Sequence, residues 1–199
     1  MNALILAGGF GTRLRPLTET TPKSLLPIAN RPFLEHQLRS LARHGVHKAI
    51  LLTGYLADDF QGFLPRARAL GVDVEVSTEH EPLGTAGAVR SVLDRLDGTT
   101  IVFNGDVLTD LDLTDLLAKH RAFDAVLSIG LHHVRDASTY GLVETADDGR
   151  ILAFLEKDPV KGAAGGWINA GTYVLEPRAL GGIPENTEYS FEYQVFPAL

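Results

Sequence analysis

The chain of 199 residues contains no cysteine, so disulfide bonds and thiolate chemistry are excluded, as is expected in the reducing cytoplasm. Long apolar runs are also missing. None approaches the roughly 20 residues that a membrane-spanning helix needs, and no basic segment precedes the first apolar run as it would in a secretory signal. The formal net charge of −7 disfavours nucleic acid and anionic membranes as partners. We therefore expect a cytoplasmic protein with neither kind of partner.

Several catalytic sequence patterns are missing as well. There is no Gly-x-Ser-x-Gly elbow. The seven histidines show no zinc-ligand spacing such as His-Glu-x-x-His, so we interpret them as surface residues. A Walker A loop that began at Gly8 would need a glycine where Arg13 stands, and the dinucleotide-binding fingerprint fails at Leu14. The common signatures of serine hydrolases, zinc enzymes and dinucleotide-binding proteins are therefore excluded.

The N-terminal segment joins a short apolar run, residues 3–7, to a glycine-rich loop. An apolar run without a polar face is typical of a strand that is buried on both sides of a parallel sheet. Glycines in the loop remove the Cβ atoms that would keep an anionic ligand away from backbone N–H groups; they are Gly8, Gly9 and Gly11. Because Arg13 and Lys23 follow within reach, the segment predicts a polyphosphate site rather than a solvated turn.

Strands and helices alternate after this loop. Apolar spacing predicts strands over residues 48–53, 72–77 and 101–103, and helices over residues 32–44, 57–65, 86–96 and 112–119. We expect Pro65 to stop or kink the second helix, and Asp112 or Thr114 to cap the fourth. This alternation predicts a parallel sheet with helices on both faces and with ligands at the carboxyl ends of the strands.

The pattern changes after residue 124. Strands are predicted over residues 125–130, 141–145, 151–156 and 168–175, with a tight turn at Asp147-Asp148-Gly149. Such closely spaced strands imply mixed or antiparallel pairing against the parallel part of the sheet. A last helix is expected to begin at Ser190. With 45% hydrophobic residues, the chain can bury the core of one substantial domain.

One acidic residue stands where a metal ion could bind. Asp106 follows an apolar strand and a glycine, so its carboxylate is expected at the sheet edge that carries the glycine-rich loop. Mg²⁺ commonly takes only one or two protein carboxylates and completes its shell with water and phosphate oxygens. The alternative is a turn aspartate that caps the helix near Asp112.

Four motifs near the N-terminus resemble the signature of the sugar-1-phosphate nucleotidyltransferases, also called nucleotide-sugar pyrophosphorylases. They are Leu6-Ala7-Gly8-Gly9-Phe10-Gly11-Thr12-Arg13-Leu14, Pro16-Leu17-Thr18, Pro22-Lys23 and Leu26-Pro27. The resemblance implies a Rossmann-like three-layer α/β/α fold with a mixed, mostly parallel sheet. It implies one domain over residues 1–199, with a nucleotide-binding part at about 1–123 and a sugar-binding part at about 124–199. The implied reaction transfers a nucleotidyl group from an NTP to a sugar 1-phosphate and releases pyrophosphate.

The resemblance also implies roles for residues at matching positions. Catalytic roles fall to Arg13, Lys23 and Asp106, and Asp106 would hold Mg²⁺. The implied nucleotide-binding residues are Leu6, Ala7, Gly8, Gly9, Gly11, Thr12, Arg13, Glu79, Pro82, Gly84 and Thr85. The implied sugar-phosphate-binding residues are Asn104, Tyr140, Gly141, Glu156, Lys157 and Asn169. For Glu156 and Lys157, an ion pair at a strand end is the alternative.

In this family, the loop that begins at Glu79 holds the nucleobase. The carboxylate of Glu79 can accept from two adjacent donors, which guanine offers at N1–H and at its N2 amine. Uracil and thymine place carbonyl oxygens beside a single donor, and adenine has an acceptor at N1. Glu79 therefore favours GTP. The alternative is a solvated Glu79 with the base read by backbone groups.

The sequence Glu79-His80-Glu81-Pro82-Leu83-Gly84-Thr85-Ala86-Gly87 is similar to the guanylyltransferase version of this loop. That similarity favours mannose 1-phosphate or a manno-heptose 1-phosphate as the acceptor. One alternative is a thymidylyl- or uridylyltransferase that acts on another hexose 1-phosphate. A second is a non-catalytic, nucleotide-sugar-binding regulatory subunit, which would be expected to lack Arg13 or Lys23. A homo-oligomer stays open.

The resemblance further concerns the C-terminal end. Family members continue past a segment like residues 190–199 to another strand and to a Trp-x-Asp-Ile-Gly-Thr-Pro-like motif, whose aspartate is a second metal-binding carboxylate. We therefore expect a truncated form or a chain that is completed by a partner. As an isolated monomer it is expected to bind nucleotide but to turn over poorly.

Overall fold

The structure, a computed structural model, describes residues 1–155 and 163–199. Its strands are β1 Asn2–Leu6, β2 Pro27–Ile28, β3 Arg31–Pro32, β4 Lys48–Thr53, β5 Asp73–Thr78, β6 Thr100–Asn104, β7 Leu127–Val134, β8 Leu142–Thr145, β9 Ile151–Leu155 and β10 Gly166–Leu175. Its α-helices are α1 Phe33–Arg43, α2 Leu64–Ala69, α3 Gly84–Arg90 and α4 Leu113–Ala122. Within the described ranges, no helix is both long enough and apolar enough to cross a membrane.

A mixed sheet forms the centre of the fold, in the order β5-β4-β1-β6-β10-β8-β9, with β7 paired to β10. β1 runs parallel to β4 and β6, and β4 runs parallel to β5. β10 is antiparallel to β6, β7 and β8. The predicted mixed sheet of a Rossmann-like α/β fold is confirmed. As a result, the carboxyl ends of four parallel strands lie at one edge.

Apolar side chains cover both faces of this sheet. Because successive residues of a strand point to opposite faces, Ala3 and Ile5 of β1 pack in one buried cluster and Leu4 packs in another. The first cluster includes side chains of α1, α2 and α4, whereas the second includes α3 and residues 191–196. The three-layer arrangement follows from this alternation.

Some local expectations were wrong. Pro65 neither stops nor kinks a helix: it occupies the first turn of α2, after a 3₁₀ segment at Ala57–Phe63, where its missing N–H costs nothing. The helix after residue 86 ends at Arg90, and a short 3₁₀ turn follows at Leu93–Arg95. The last helix is a single π-turn, Phe191–Val195, followed by a 3₁₀ turn, Phe196–Ala198.

The predicted cap Asp112 is confirmed, whereas the predicted surface position of His120 is wrong. Asp112 caps α4 as predicted, because its side chain accepts from the backbone N–H groups of Thr114 and Asp115 at 2.9 and 3.1 Å. His120 is not a surface residue. It is 2% exposed, and its ring nitrogens lie 2.9 Å from Ser128 Oγ and 3.3 Å from Glu176 Oε1.

Aromatic rings join residues 191–196 to the sheet. The Phe196 ring centroid lies 5.2 Å from that of Phe154, 5.3 Å from that of Tyr173 and 5.5 Å from that of Phe191. These side chains bury large apolar areas at separations that favour aromatic pairing. The segment is thus part of the second core face.

We expect Phe196→Ala to lower the free energy of unfolding by about 3–5 kcal/mol, because it leaves a cavity among three aromatic rings. Tyr193→Ala is the matched control: Tyr193 is 70% exposed in the same segment, so its loss should cost less than about 0.5 kcal/mol. Urea unfolding curves measure both values. Equal effects of the two substitutions would contradict the assignment of Phe196 to the core.

Candidate active site

The carboxyl ends of the four parallel strands open into a cavity of about 670 Å³. β1 leads into residues 6–14, β4 into Gly54 and Tyr55, β5 into residues 79–82 and β6 into residues 104–106, all of which line the cavity. Lys23 and Ser24 complete one wall, and Thr85, Ala88 and Glu188 complete another. The structure therefore brings all of the predicted catalytic and nucleotide-binding residues to one cavity.

The glycine-rich loop is fixed by local hydrogen bonds. Gly11 has a φ of 60°, a left-handed conformation that glycine adopts without strain. Its carbonyl oxygen accepts from the Thr18 hydroxyl and from the backbone N–H of Leu14, each at 2.9 Å. A 3₁₀ turn over Thr12–Leu14 follows and carries Arg13 on the cavity wall, where the side chain is exposed. The loop thus presents a cation at a defined point.

Lys23 and Asp106 form an ion pair across the cavity wall. Lys23 Nζ lies 2.6 Å from Asp106 Oδ2, and the two side chains are 31% and 42% exposed. A pair with this much exposure contributes little to the free energy of unfolding. A phosphate-bearing ligand can therefore separate the two charges at small cost.

The turn that carries Asp106 is held by a residue that sequence reasoning missed. The buried amide of Gln37, on α1, donates to the carbonyl oxygens of Asn104 at 2.9 Å and Val107 at 2.8 Å. The backbone N–H of Gly105 donates to Leu6 O at 2.9 Å. These hydrogen bonds hold the backbone before and after Asp106. A glutamine on the apolar face of a predicted helix was the available signal.

Glu79 lies against the glycine-rich loop. Its backbone N–H donates to Thr53 O at 2.8 Å, and its Oε2 accepts from Leu83 N–H at 3.3 Å. A Cβ added to Gly8 would lie only 2.7 Å from Glu79 Oε1, so the carboxylate packs on bare backbone. Burial raises the pKa of the Glu79 carboxyl, and the hydrogen bond from Leu83 opposes that rise only in part.

The predicted sugar-phosphate residues are dispersed. Asn104 lines the cavity, and its Oδ1 is buried without a partner among the described residues. Tyr140 and Gly141 are exposed just before β8 and lie outside the cavity wall. Asn169 also lies outside it. Glu156 and Lys157 lie outside the described residues.

Asn169 instead belongs to a partly buried group of hydrogen-bonded side chains on β10. Its Nδ2 donates to the hydroxyl oxygen of Tyr173 at 2.9 Å, and its Oδ1 accepts from Gly171 N–H at 2.8 Å. Burial raises the pKa of the Tyr173 phenol, so this hydroxyl stays protonated. The hydrogen bonds to Tyr173 and Gly171 thus fix the orientation of the Asn169 side chain.

We expect Gly105→Ala to lower the free energy of unfolding by roughly 1–3 kcal/mol, because the new methyl group would overlap Leu6 O and separate β6 from β1. Gly62→Ala is the control, since a Cβ there meets no atom within 4 Å. Thermal unfolding compares the two. A Gly105→Ala variant as stable as Gly62→Ala would argue against the close contact between these strand ends.

The chain is similar to known proteins along its whole length. The family described as nucleotidyl transferase matches residues 2–198. A mannose-1-phosphate guanylyltransferase of Mycobacterium tuberculosis is 44% identical, over 100% of this chain and 55% of the relative. A UTP–glucose-1-phosphate uridylyltransferase of Synechocystis is 36% identical, over 100% of this chain and 55% of the relative. The chain thus spans about half the length of the curated relatives it matches.

A solved structure agrees with these matches. HddC from Yersinia pseudotuberculosis, crystallised in complex with GMP-PN, superposes with a TM-score of 0.84 at 32% identity, over 100% of this chain and 86% of HddC. The match of the family to nearly every residue and the likeness to HddC support one conclusion. This chain belongs to the nucleotidyl transferase family.

Proposed function

We propose that this protein transfers a guanylyl group from GTP to a mannose-type or manno-heptose-type sugar 1-phosphate and releases pyrophosphate. One observation carries the proposal: a single cavity brings together the cationic side chains of Arg13 and Lys23 and the carboxylate of Glu79. Arg13 and Lys23 suit a triphosphate, and Glu79 suits guanine. The relatives of this chain include mannose-1-phosphate guanylyltransferases, which supports the same activity.

The chemistry requires charge to be neutralised rather than a protein nucleophile. A sugar-phosphate oxygen is already an anionic nucleophile, and the barriers are repulsion between two anions and growing charge on the pyrophosphate. Arg13 would stabilise the charge that develops at the α-phosphate and on the leaving group. Lys23 would bind phosphate oxygens after it separates from Asp106, and Lys157 would neutralise the acceptor phosphate. Backbone N–H groups of the glycine-rich loop would orient the triphosphate.

Asp106 is the proposed ligand of Mg²⁺. Among the described residues, no three acidic or histidine side chains group closely enough to enclose a metal ion. Asp106 still fits, because its exposed carboxylate lines the cavity and Mg²⁺ needs only one or two protein carboxylates beside phosphate. When bound, the ion would supply charge neutralisation at phosphate oxygens. Gln37, through the turn that it holds, would keep the Asp106 carboxylate in place.

Recognition of the base is assigned to Glu79. Its carboxylate would accept from guanine N1–H and from the N2 amine. These two hydrogen bonds would offset the free-energy cost of burying the carboxylate, the same burial that raises its pKa. Glu188 lines the same cavity and would repel the carbonyl oxygens of uracil or thymine. Because the relative from Synechocystis is a UTP–glucose-1-phosphate uridylyltransferase, UTP is the alternative nucleotide donor.

We expect kcat/KM to be higher for GTP than for UTP, dTTP and ATP. Glu79→Gln should reduce the preference for GTP by about 1–3 kcal/mol, because one acceptor becomes a donor that faces guanine N1–H or N2. Glu81→Gln, whose carboxylate is exposed, is the matched control and should change the preference much less. The rate of pyrophosphate release with each of the four nucleotides measures this preference. A wild-type preference for UTP or dTTP would refute the role of Glu79.

Arg13→Ala should lower kcat by roughly 10²-fold and weaken GTP binding far less, because its interaction strengthens as charge develops. Arg15→Ala is the control, since Arg15 is exposed nearby but does not line the cavity. Lys157→Ala should instead raise the KM for the sugar phosphate. Normal turnover by Arg13→Ala would be incompatible with a phosphate-binding role of this loop, whereas a wild-type protein without turnover would favour the regulatory subunit that binds nucleotide sugar.

A further inference from the structure

The loop that follows Glu79 is docked on a segment far away in sequence. The backbone N–H groups of Ala86 and Gly87 donate to Tyr189 O at 2.8 and 3.0 Å, and Tyr189 N–H donates to Leu83 O at 2.9 Å. A Cβ on Gly84 would lie 2.7 Å from Tyr189 O, so this close contact requires glycine there. Residues 83–87 therefore take their position from residues 187–192, which we call the docking segment.

A carboxylate completes the docking segment. Glu192 Oε2 accepts from the Thr85 hydroxyl at 2.9 Å and from the Ser190 hydroxyl at 2.7 Å. The Thr85 hydroxyl in turn accepts from Phe191 N–H at 2.9 Å. Thr85 is a predicted nucleotide-binding residue, but its hydroxyl both donates to and accepts from the protein. Its hydroxyl is thus already engaged by the docking segment.

Leu83 connects the docking segment to Glu79, the proposed base-recognition residue. Leu83 donates its N–H to Glu79 Oε2 at 3.3 Å and accepts from Tyr189 N–H through its carbonyl. One residue therefore joins Glu79 to the docking segment. Glu188, in the same segment, lines the cavity directly.

We infer that Glu192 is a positioning residue for nucleobase recognition, which acts through Thr85 and Leu83 on Glu79. The inference rests on the proposed function. Buried apolar side chains on either side, those of Phe191 and Val195, anchor the segment to the core. The half-buried carboxylate is not needed for that anchoring. The Thr85 hydroxyl instead joins this carboxylate to the loop that carries the specificity, and the Ser190 hydroxyl holds the carboxylate within the docking segment.

The test compares two ligands that differ by the nucleoside. Kd values for Mg²⁺–GTP and Mg²⁺–tripolyphosphate are measured by calorimetry, with the melting temperature. Thr85→Val, which removes the hydroxyl at nearly constant shape, should weaken GTP binding roughly 5- to 30-fold. Glu192→Gln, which replaces the charged acceptor of both hydroxyls by a neutral amide oxygen, should weaken GTP binding in the same direction. Tripolyphosphate binding should stay within about twofold, because the glycine-rich loop is untouched.

Rescue and coupling sharpen the comparison. Thr85→Ser keeps the hydroxyl and should bind GTP within about threefold of the wild type. Because Thr85 and Glu192 act as one unit, the Thr85→Val/Glu192→Gln double variant should lose no more than the worse single variant. Tyr193→Ala, exposed in the same stretch, should change neither Kd.

A measurement without nucleotide provides an independent check. Amide hydrogen exchange over residues 83–87 should be faster in Glu192→Gln than in the wild type, with exchange in β1 unchanged. Equal losses of GTP and tripolyphosphate binding, or unchanged GTP binding and unchanged exchange, would overturn the role of Glu192 alone. A wild-type protein that binds GTP no more tightly than tripolyphosphate would overturn the proposed function and this inference with it.

Discussion

The parallel pairing of β1 with β4 on one side and β6 on the other is the constraint on which the cavity depends. Parallel strands end at the same edge of a sheet, so each strand releases its following loop into one space. The glycine-rich loop, the Gly54–Tyr55 corner and the turn with Asp106 meet for that reason. The hydrogen bond from Gly105 N–H to Leu6 O then fixes the spacing between two of these loops. The strands therefore determine the backbone positions from which the side chains of the cavity project.

Charge is distributed unevenly around this cavity, although the whole chain carries a net charge of −7. Lys23 is paired with Asp106, so a cation and a carboxylate lie side by side in a partly exposed ion pair. In the loop after β5, Glu79 packs on the glycine-rich loop and is partly desolvated, which raises its pKa and makes a pair of donors the favourable neighbour. The two carboxylates of the cavity therefore have different surroundings: Asp106 contacts a cation, whereas Glu79 contacts bare backbone.

The parts of the fold that the sequence predicted are those with local signals. The apolar run of β1, the glycine-rich loop after it and the Asp112 cap each depend on a few neighbouring residues. Contacts between distant residues leave no spacing pattern, which is why the burial of His120 and the Thr85–Glu192 bond were missed. The position of Gln37 on the apolar face of α1 indicates burial, but it does not indicate the carbonyl oxygens of Asn104 and Val107 as partners. Pro65 shows a different limit: the same residue can end a helix or begin one, and only the preceding 3₁₀ turn decides. Predicted site residues at strand ends came together, whereas Tyr140, Gly141 and Asn169 did not join the cavity wall.

The second core face joins the two ends of the described chain. Leu4, near the beginning, and Phe196, near the end, belong to the same buried cluster. Contacts of such sequence separation form late, since the entropy of closing a long loop must be overcome before they stabilise anything. During synthesis, the face of β1 and β6 that carries Leu4 and Val102 is therefore completed only when residues 191–196 join α3 on it. Until then part of its apolar surface stays uncovered, which is the condition under which a folding chain aggregates.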